Sequence, residues 1–286
     1  MQGSFTPRQV ARALGIGETT VKRWCDKGVI PVDNTPGGHR RIHLSPLVEF
    51  LKSSGRILAR PELLGMPANV GKGERVLERA ALQLAGALIA GDEEQSRRLV
   101  LDLYLAEHDT AVLCDRVIGG AFEIIGRGWE CGEVEIFQER RGCRIAELLM
   151  DGLRSLIRLP PTGAPKAIGG AIAGDHFDLP TQMAELVLRD CGWDAVSLGN
   201  NLPFDSFAAA IRLHRPRLFW LSCSHIADEA AFLQEYCEFY DEFGSQVAIV
   251  VGGRALLESL RKKMNYAAFC DGMQHLAAFA QTLARR

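Results

Sequence analysis

Three groups of residues in this chain have the types and spacing to do chemistry. The first is basic: Thr19, Thr20, Lys22 and Arg23 crowd one helix-sized stretch, and His39, Arg40 and Arg41 follow the pair Gly37-Gly38. Guanidinium and ammonium groups suit phosphate oxygens, and short hydroxyl side chains suit base edges, so this group is aimed at a nucleic acid. The second is the run Asp175-His176-Phe177-Asp178-Leu179-Pro180, placed just after an apolar segment. The third is Trp129 with Glu139 and Arg140 about ten residues on. Arg140 or Arg141 would hold an anionic or carboxylate ligand by bidentate pairing, unless Glu139 closes the pair by itself. Ser222, Gly252 and Gly253 end two later apolar runs and complete the candidate ligand pocket. His176, Cys223 and His225 lie in or beside the same runs. Nothing in the chain reads as a nucleophile elbow, a phosphate loop or a His-Glu-x-x-His metal helix. Asp175, Asp178 and Asp228 do not make an acid/base pair, and the sequence is read as that of a non-enzyme.

The basic group needs a small scaffold, and residues 1–52 supply one. Thr6 caps a helix with Pro7 in its first turn, Gly15-Ile16-Gly17 turns the chain, and residues 18–28 resume helical spacing through Val21, Trp24 and Cys25. Two short strands, 30–33 and 40–43, flank the turn 34–38, and residues 45–51 form a third helix. Trp24 shares a face with Val21 and is expected to pack the core. This is a winged helix-turn-helix: the second helix presents side chains to a major groove while the basic wing lies along phosphates. Residues 53–73 mix Gly, Pro, Ser and Asn without periodicity and read as a linker.

The other two groups need a larger body. Residues 74–158 lack proline and repeat their apolar positions every three or four residues. Four antiparallel helices, about 74–90, 92–107, 109–128 and 134–157, fit a bundle. From Pro160-Pro161 onward, short apolar runs alternate with helices of 10–15 residues. That pattern gives 159–286 a doubly wound, flavodoxin-like (Rossmann-type) parallel α/β fold. Ligands of such sheets lie beyond the strand C-termini, which gathers 174–180, 199–203, 222–226 and 252–254 around one crevice.

Charge divides the chain in the same way. The formal net charge is −2, but residues 1–60 hold 10 Lys/Arg against 4 Asp/Glu while the remainder holds 23 against 31. A basic head on an acidic body implies that only the head meets a polyanion. The eight scattered cysteines include no Cys-x-x-Cys pair, which argues against zinc and against a disulfide framework. With no secretory leader and no apolar run long enough for a membrane span, they read as reduced thiols of a cytoplasmic protein.

Residues 5–51, through TPRQVARALGIGETTVKRWCDKGVIP and GGHRRI, resemble the MerR family and its excisionase-like relatives. That resemblance implies a regulator binding double-stranded DNA at a promoter or operator as a homo-oligomer. The long helix that dimerises MerR proteins is missing after the wing, so a dimer or tetramer would form through the body. The order of domains further resembles the light-sensing, cobalamin-dependent repressors of carotenoid genes. In that family the bundle carries a Trp followed by a Glu-His pair, matched here by Trp129 and Glu139, with Arg140 at the His position. The family's α/β domain carries Asp-x-His-x-x-Gly; Asp175 matches, but Phe177 stands for the axial His and Pro180 for the Gly. A phenyl ring cannot donate to cobalt, and an arginine has no lone pair to give. Pro180 also stiffens the backbone where the nucleotide tail would enter. The C-terminal module is therefore expected to serve sensing and oligomerisation without axial-His ligation. Weak base-on binding stays open because Gly199, Ser222, Gly252 and Gly253 persist. A small-molecule ligand, a haem-binding sensor with His176, His225 or Cys223 as candidate ligands, and a corrinoid methyltransferase-type subunit are the alternatives that the resemblance implies. If the missing ligands decide the matter, purified protein mixed with adenosylcobalamin keeps no stable colour after desalting; a stoichiometric red complex would refute this.

Overall fold

The computed structural model describes residues 4–35, 37–54, 56, 58, 60–65 and 74–285. The chain forms two compact units. One comprises residues up to Asp109 together with Arg116–Leu156; the other comprises Thr110–Asp115 and Ile157 onward.

In the first unit, Thr6 caps α1 (Pro7–Leu14) through a capping box with Gln9, and Gly15 closes it in the left-handed region. Helix α2 (Glu18–Asp26) follows. The wing consists of β2 (Asp33–Asn34) and β3 (Arg40–His43), and a strand not anticipated from sequence, β1 (Ser4–Phe5), pairs with β3 on its other side. Helix α3 (Leu44–Ser54) completes the head. Val10, Val21, Ile30, Ile42, Leu47 and Phe50 form its core, and Trp24 packs against Phe50 with ring centroids 4.9 Å apart. Part of the stretch read as a linker belongs to this core. A 3-10 turn, Pro61–Leu64, lies beside α1; Leu58 and Leu64 are buried, and the Arg60 N–H donates to the Ala13 carbonyl. Periodicity misses such a segment because a few apolar residues without a repeat suffice to fill a gap. The rest of that stretch, 66–73, lies outside the described residues.

The bundle follows as α4 (Glu74–Ala90), α5 (Glu93–Leu105), a segment from Thr110 to Glu130, and α8 (Ile136–Arg154). The third segment is not one α-helix. It begins as α6 (Thr110–Val112), widens into a π-helical stretch over Leu113–Gly119, and resumes as α7 (Gly120–Glu130). Helix α4 is the common wall, touching α5, α7 and α8. The head is joined to this bundle by α3 against α5: Lys52 Nζ sits 3.4 Å from the Tyr104 ring centroid, and Leu105 packs on the head's core.

In the second unit, five parallel strands form a sheet: β4 (Lys166–Ala171), β5 (Asp194–Ser197), β6 (Leu218–Ser222), β7 (Ala248–Gly252) and β8 (Ala268–Cys270). Their order is β5-β4-β6-β7-β8, the doubly wound arrangement expected from the alternating sequence. Helices α9 (Leu179–Asp190), α10 (Phe204–His214), α11 (Glu229–Phe243), α12 (Glu258–Arg261) and α13 (Met273–Ala284) cover it. One core, with Phe207, Phe219, Tyr236 and Phe239, fills the α10–α11 side; the other, with Ala184, Leu188, Trp193, Trp220 and Leu276, fills the side of α9 and α13.

Gly253 shows how tightly the strand ends are drawn together. Its φ is +118°, and an added Cβ would collide with the backbone of Cys223. Gly253→Ala is expected to cost at least about 2 kcal/mol, since strain and a backbone clash combine at one position. A fall in the thermal midpoint of the purified chain checks this.

Candidate functional sites

The head builds a surface from α2 and the wing. Val21 and Cys25 turn inward, which leaves Thr19, Lys22 and Arg23 exposed and Thr20 half-buried on the other side of the helix. Lys22 pairs with Glu18 one turn back at 2.9 Å, a surface contact of little energetic weight. Strand alternation sorts the wing. Ile42 is fully buried, so Arg40 shares the inward face of β3 while Arg41 and His43 lie on the opposite face. The Arg40 guanidinium donates to Asp26 at the end of α2, 2.6 Å away. Sequence reasoning treated Arg40 and Arg41 alike; the structure shows that Arg40 also links the wing to the end of α2. His39 is exposed beside Gly37 and Gly38, and its backbone N–H donates to Thr35 Oγ1. On the opposite face, His43 contacts Asp33 across the β2–β3 pair at 2.8 Å.

On the bundle, Trp129 ends α7 with 54% of its surface exposed. Glu139 is half-buried, and its carboxylate lies 3.8 Å from the exposed Arg140. Arg141 donates to the Ile89 carbonyl at 2.5 Å and so caps the end of α4. A groove of about 430 Å³ between α4 and α5, lined by Arg79, Gln95, Arg98, Asp102 and Leu103 among others, shares no residue with the sites read from sequence.

The α/β unit gathers its strand-end loops as expected, and Asp175 is what joins them. Its side chain is fully buried. One carboxylate oxygen accepts the Phe177 N–H at 3.1 Å; the other accepts the N–H groups of Ser224 at 2.5 Å and His225 at 3.2 Å. The Asp175 carbonyl takes the N–H of Asn201, whose side chain in turn accepts from Gly174. Asn200 bonds the His176 carbonyl, leaving the His176 side chain exposed. Phe177 lies under the Arg254 guanidinium at 5.1 Å, and Arg254 also reaches the Ser224 carbonyl. Sequence reasoning placed Asn201, Ser224 and Arg254 at the crevice with their loops but gave them no role, because isolated polar residues in loops carry no spacing signal. Ser222 is buried at the end of β6, paired in register with Gly252. An added Cβ at Gly252 would approach the Cys270 carbonyl to 2.7 Å, so internal packing accounts for this glycine as it does for Gly253.

The thiols are free. Burial raises Cys143 and Cys270 to about 11 and pushes Cys223 well above the ordinary thiol range, with Asp175 adding to the rise at Cys223. A thiol held protonated in this way is a poor metal ligand. Cys131 is the exposed one. Among the described residues, no cluster of three or more His, Cys, Asp or Glu side chains could hold a metal ion, and no helix is long and apolar enough to cross a membrane.

Comparison with known proteins places these units. Residues 4–55 match a family described as a helix-turn-helix domain, and residues 81–154, the bundle, match one described as a B12 binding domain. No curated protein matches the chain by sequence. Among solved structures, the monomethylamine corrinoid protein of Methanosarcina barkeri superposes with a TM-score of 0.61 at 15% identity, over 72% of this chain and 98% of that one. A cobalamin-binding protein of Desulfitobacterium hafniense DCB-2 has 18% identity over the same shares and a TM-score of 0.38. The first likeness is one of fold: a helical bundle followed by a parallel α/β domain. The chain thus joins a helix-turn-helix DNA-binding domain to a B12-binding-type module.

Asp175→Ala would strand three backbone N–H groups at the centre of the loop cluster. The expected loss is about 3 kcal/mol, the scale of removing a charged acceptor from buried donors. Urea unfolding followed by the fluorescence of Trp193 and Trp220 checks it.

Proposed function

We propose that this protein is a DNA-binding transcriptional regulator of MerR type. Its C-terminal module serves sensing and assembly without a protein-derived axial ligand to cobalt. The observation that carries the DNA half is the pairing of an exposed Thr19–Lys22–Arg23 face with a wing that Arg40 and Asp26 tie to the same helix. That tie sets the spacing between groove-reading side chains and the phosphate-facing Arg41 and His39. Two-fold operators require two heads. Because α3 is packed into its own head, the second head is recruited through the body as a homodimer or tetramer.

For the sensing half, the residues present do not fit axial ligation of a corrinoid. Position 177 is a phenylalanine engaged by Arg254, and Asp175 has both carboxylate oxygens taken by backbone N–H groups. Arg140 offers no lone pair. Such an arrangement argues against a corrinoid methyl-transfer subunit, whose chemistry depends on a reactive cobalt, and in favour of a module retained for its fold.

Binding to promoter DNA from the protein's own locus, measured by fluorescence anisotropy at several salt concentrations, tests the reading. Arg41→Ala is expected to weaken binding to all sequences and to reduce the slope of log K against log salt by about 1. Arg40→Ala is expected to weaken binding as well, together with a lower thermal midpoint, since it frees the wing. Wild-type affinity in Arg41→Ala would refute the wing assignment.

A further inference from the structure

A sheet of this order opens its ligand crevice at the switch point, here between β4 and β6, where the connections leave in opposite directions. Strand β4 carries two adjacent glycines there, Gly169 and Gly170. Glycine inside a strand marks a place where something approaches the backbone closely. In this protein the approaching groups are the chain's own. Gly169 is paired in register with Trp220 of β6, and a Cβ at 169 would collide with both the Trp220 ring and the Trp220 carbonyl. On the opposite face, a Cβ at Gly170 would meet the Gly199 carbonyl at 2.7 Å and the Phe207 ring at 3.1 Å.

The indole is held as a bound heteroaromatic would be. Trp220 is 3% exposed, and its ring N–H donates to Thr181 Oγ1 in the first turn of α9 at 2.9 Å. Thr181 Oγ1 also meets Ser197 Oγ at 3.1 Å. The Ser197 N–H is received by Glu185, which Arg189 pairs at 2.9 Å. Every polar group in this chain of contacts has a partner, so the indole sits in a finished site.

We propose that Trp220 is an intramolecular plug of the switch-point crevice, closing the α/β unit to a corrinoid's nucleotide base whatever residue stands at 177. The chemistry requires such a space. A histidine that ligates cobalt displaces the benzimidazole base, and the displaced flat ring must then lie within the protein. Between β4, β6 and α9 that volume is indole. This inference deepens the reading of a module without axial ligation and rests on it. It also makes the loss of ligation structural, and not a matter of one missing side chain.

The test uses the full chain as wild type, Phe177→His, Trp220→Ala and the double variant. Each is mixed with hydroxocobalamin, desalted and read by its visible spectrum. Wild type and Phe177→His are expected to retain little colour, and the double variant at least about tenfold more, equivalent to a tenfold gain in affinity or better. One equivalent retained by Phe177→His alone would overturn the plug. So would a folded double variant that retains no more than Phe177→His. Should the alanine double variant fail to show a cooperative melt, Trp220→Leu with Phe177→His replaces it under the same limits. A second measurement is independent of cobalt: free indole raises the thermal midpoint of Trp220→Ala and not of wild type, and no shift in that variant would overturn the proposal. Loss of DNA binding by wild type would refute the regulator reading and leave these outcomes as they stand.

Discussion

Asp175 is one carboxylate placed where three loops have to meet. Buried and surrounded by backbone, it takes the N–H groups of Phe177, Ser224 and His225, while its own carbonyl holds Asn201. A buried acceptor with that many donors is strongly favoured, and losing it would leave each donor without water or partner. The consequence runs through the unit. The β4–α9 loop is fixed against the β6–α11 loop, Arg254 settles over Phe177, and Gly253 has to pass so close to Cys223 that no side chain fits.

The first unit depends on a different constraint, the sharing of walls. Helix α4 serves α5, α7 and α8 at once, and α5 also receives the head through Tyr104 and Leu105. The head therefore does not hang from a free tether. Its wing is further fixed by the Arg40–Asp26 contact. Residues 1–60 carry a net charge of +6 and the remaining residues one of −8.

Together these constraints describe a B12-binding-type module whose strand-end loops are held by the chain's own groups. Asp175 accepts backbone N–H groups, Phe177 lies under Arg254, and the buried Trp220 donates to Thr181.

Much of this was legible in the residues alone. The N-cap at Thr6 with Pro7 after it, the glycine turn and the basic run after Gly37-Gly38 located the winged head. Apolar period and proline distribution located the bundle, and the alternation of short apolar runs with helices set the parallel sheet and the loops at its edge. Absent donors at 140 and 177 were equally plain, since an aromatic hydrocarbon or a guanidinium lacks a lone pair in any fold. Tertiary structure alone decided which partner each side chain has. That Arg40 faces Asp26, that the π-helical stretch interrupts the third bundle helix, and that Gly169 is bare because Trp220 lies on it are facts about residues distant in sequence. Local spacing records a helix or a strand through its period. It holds no trace of two side chains that meet only when separate elements pack.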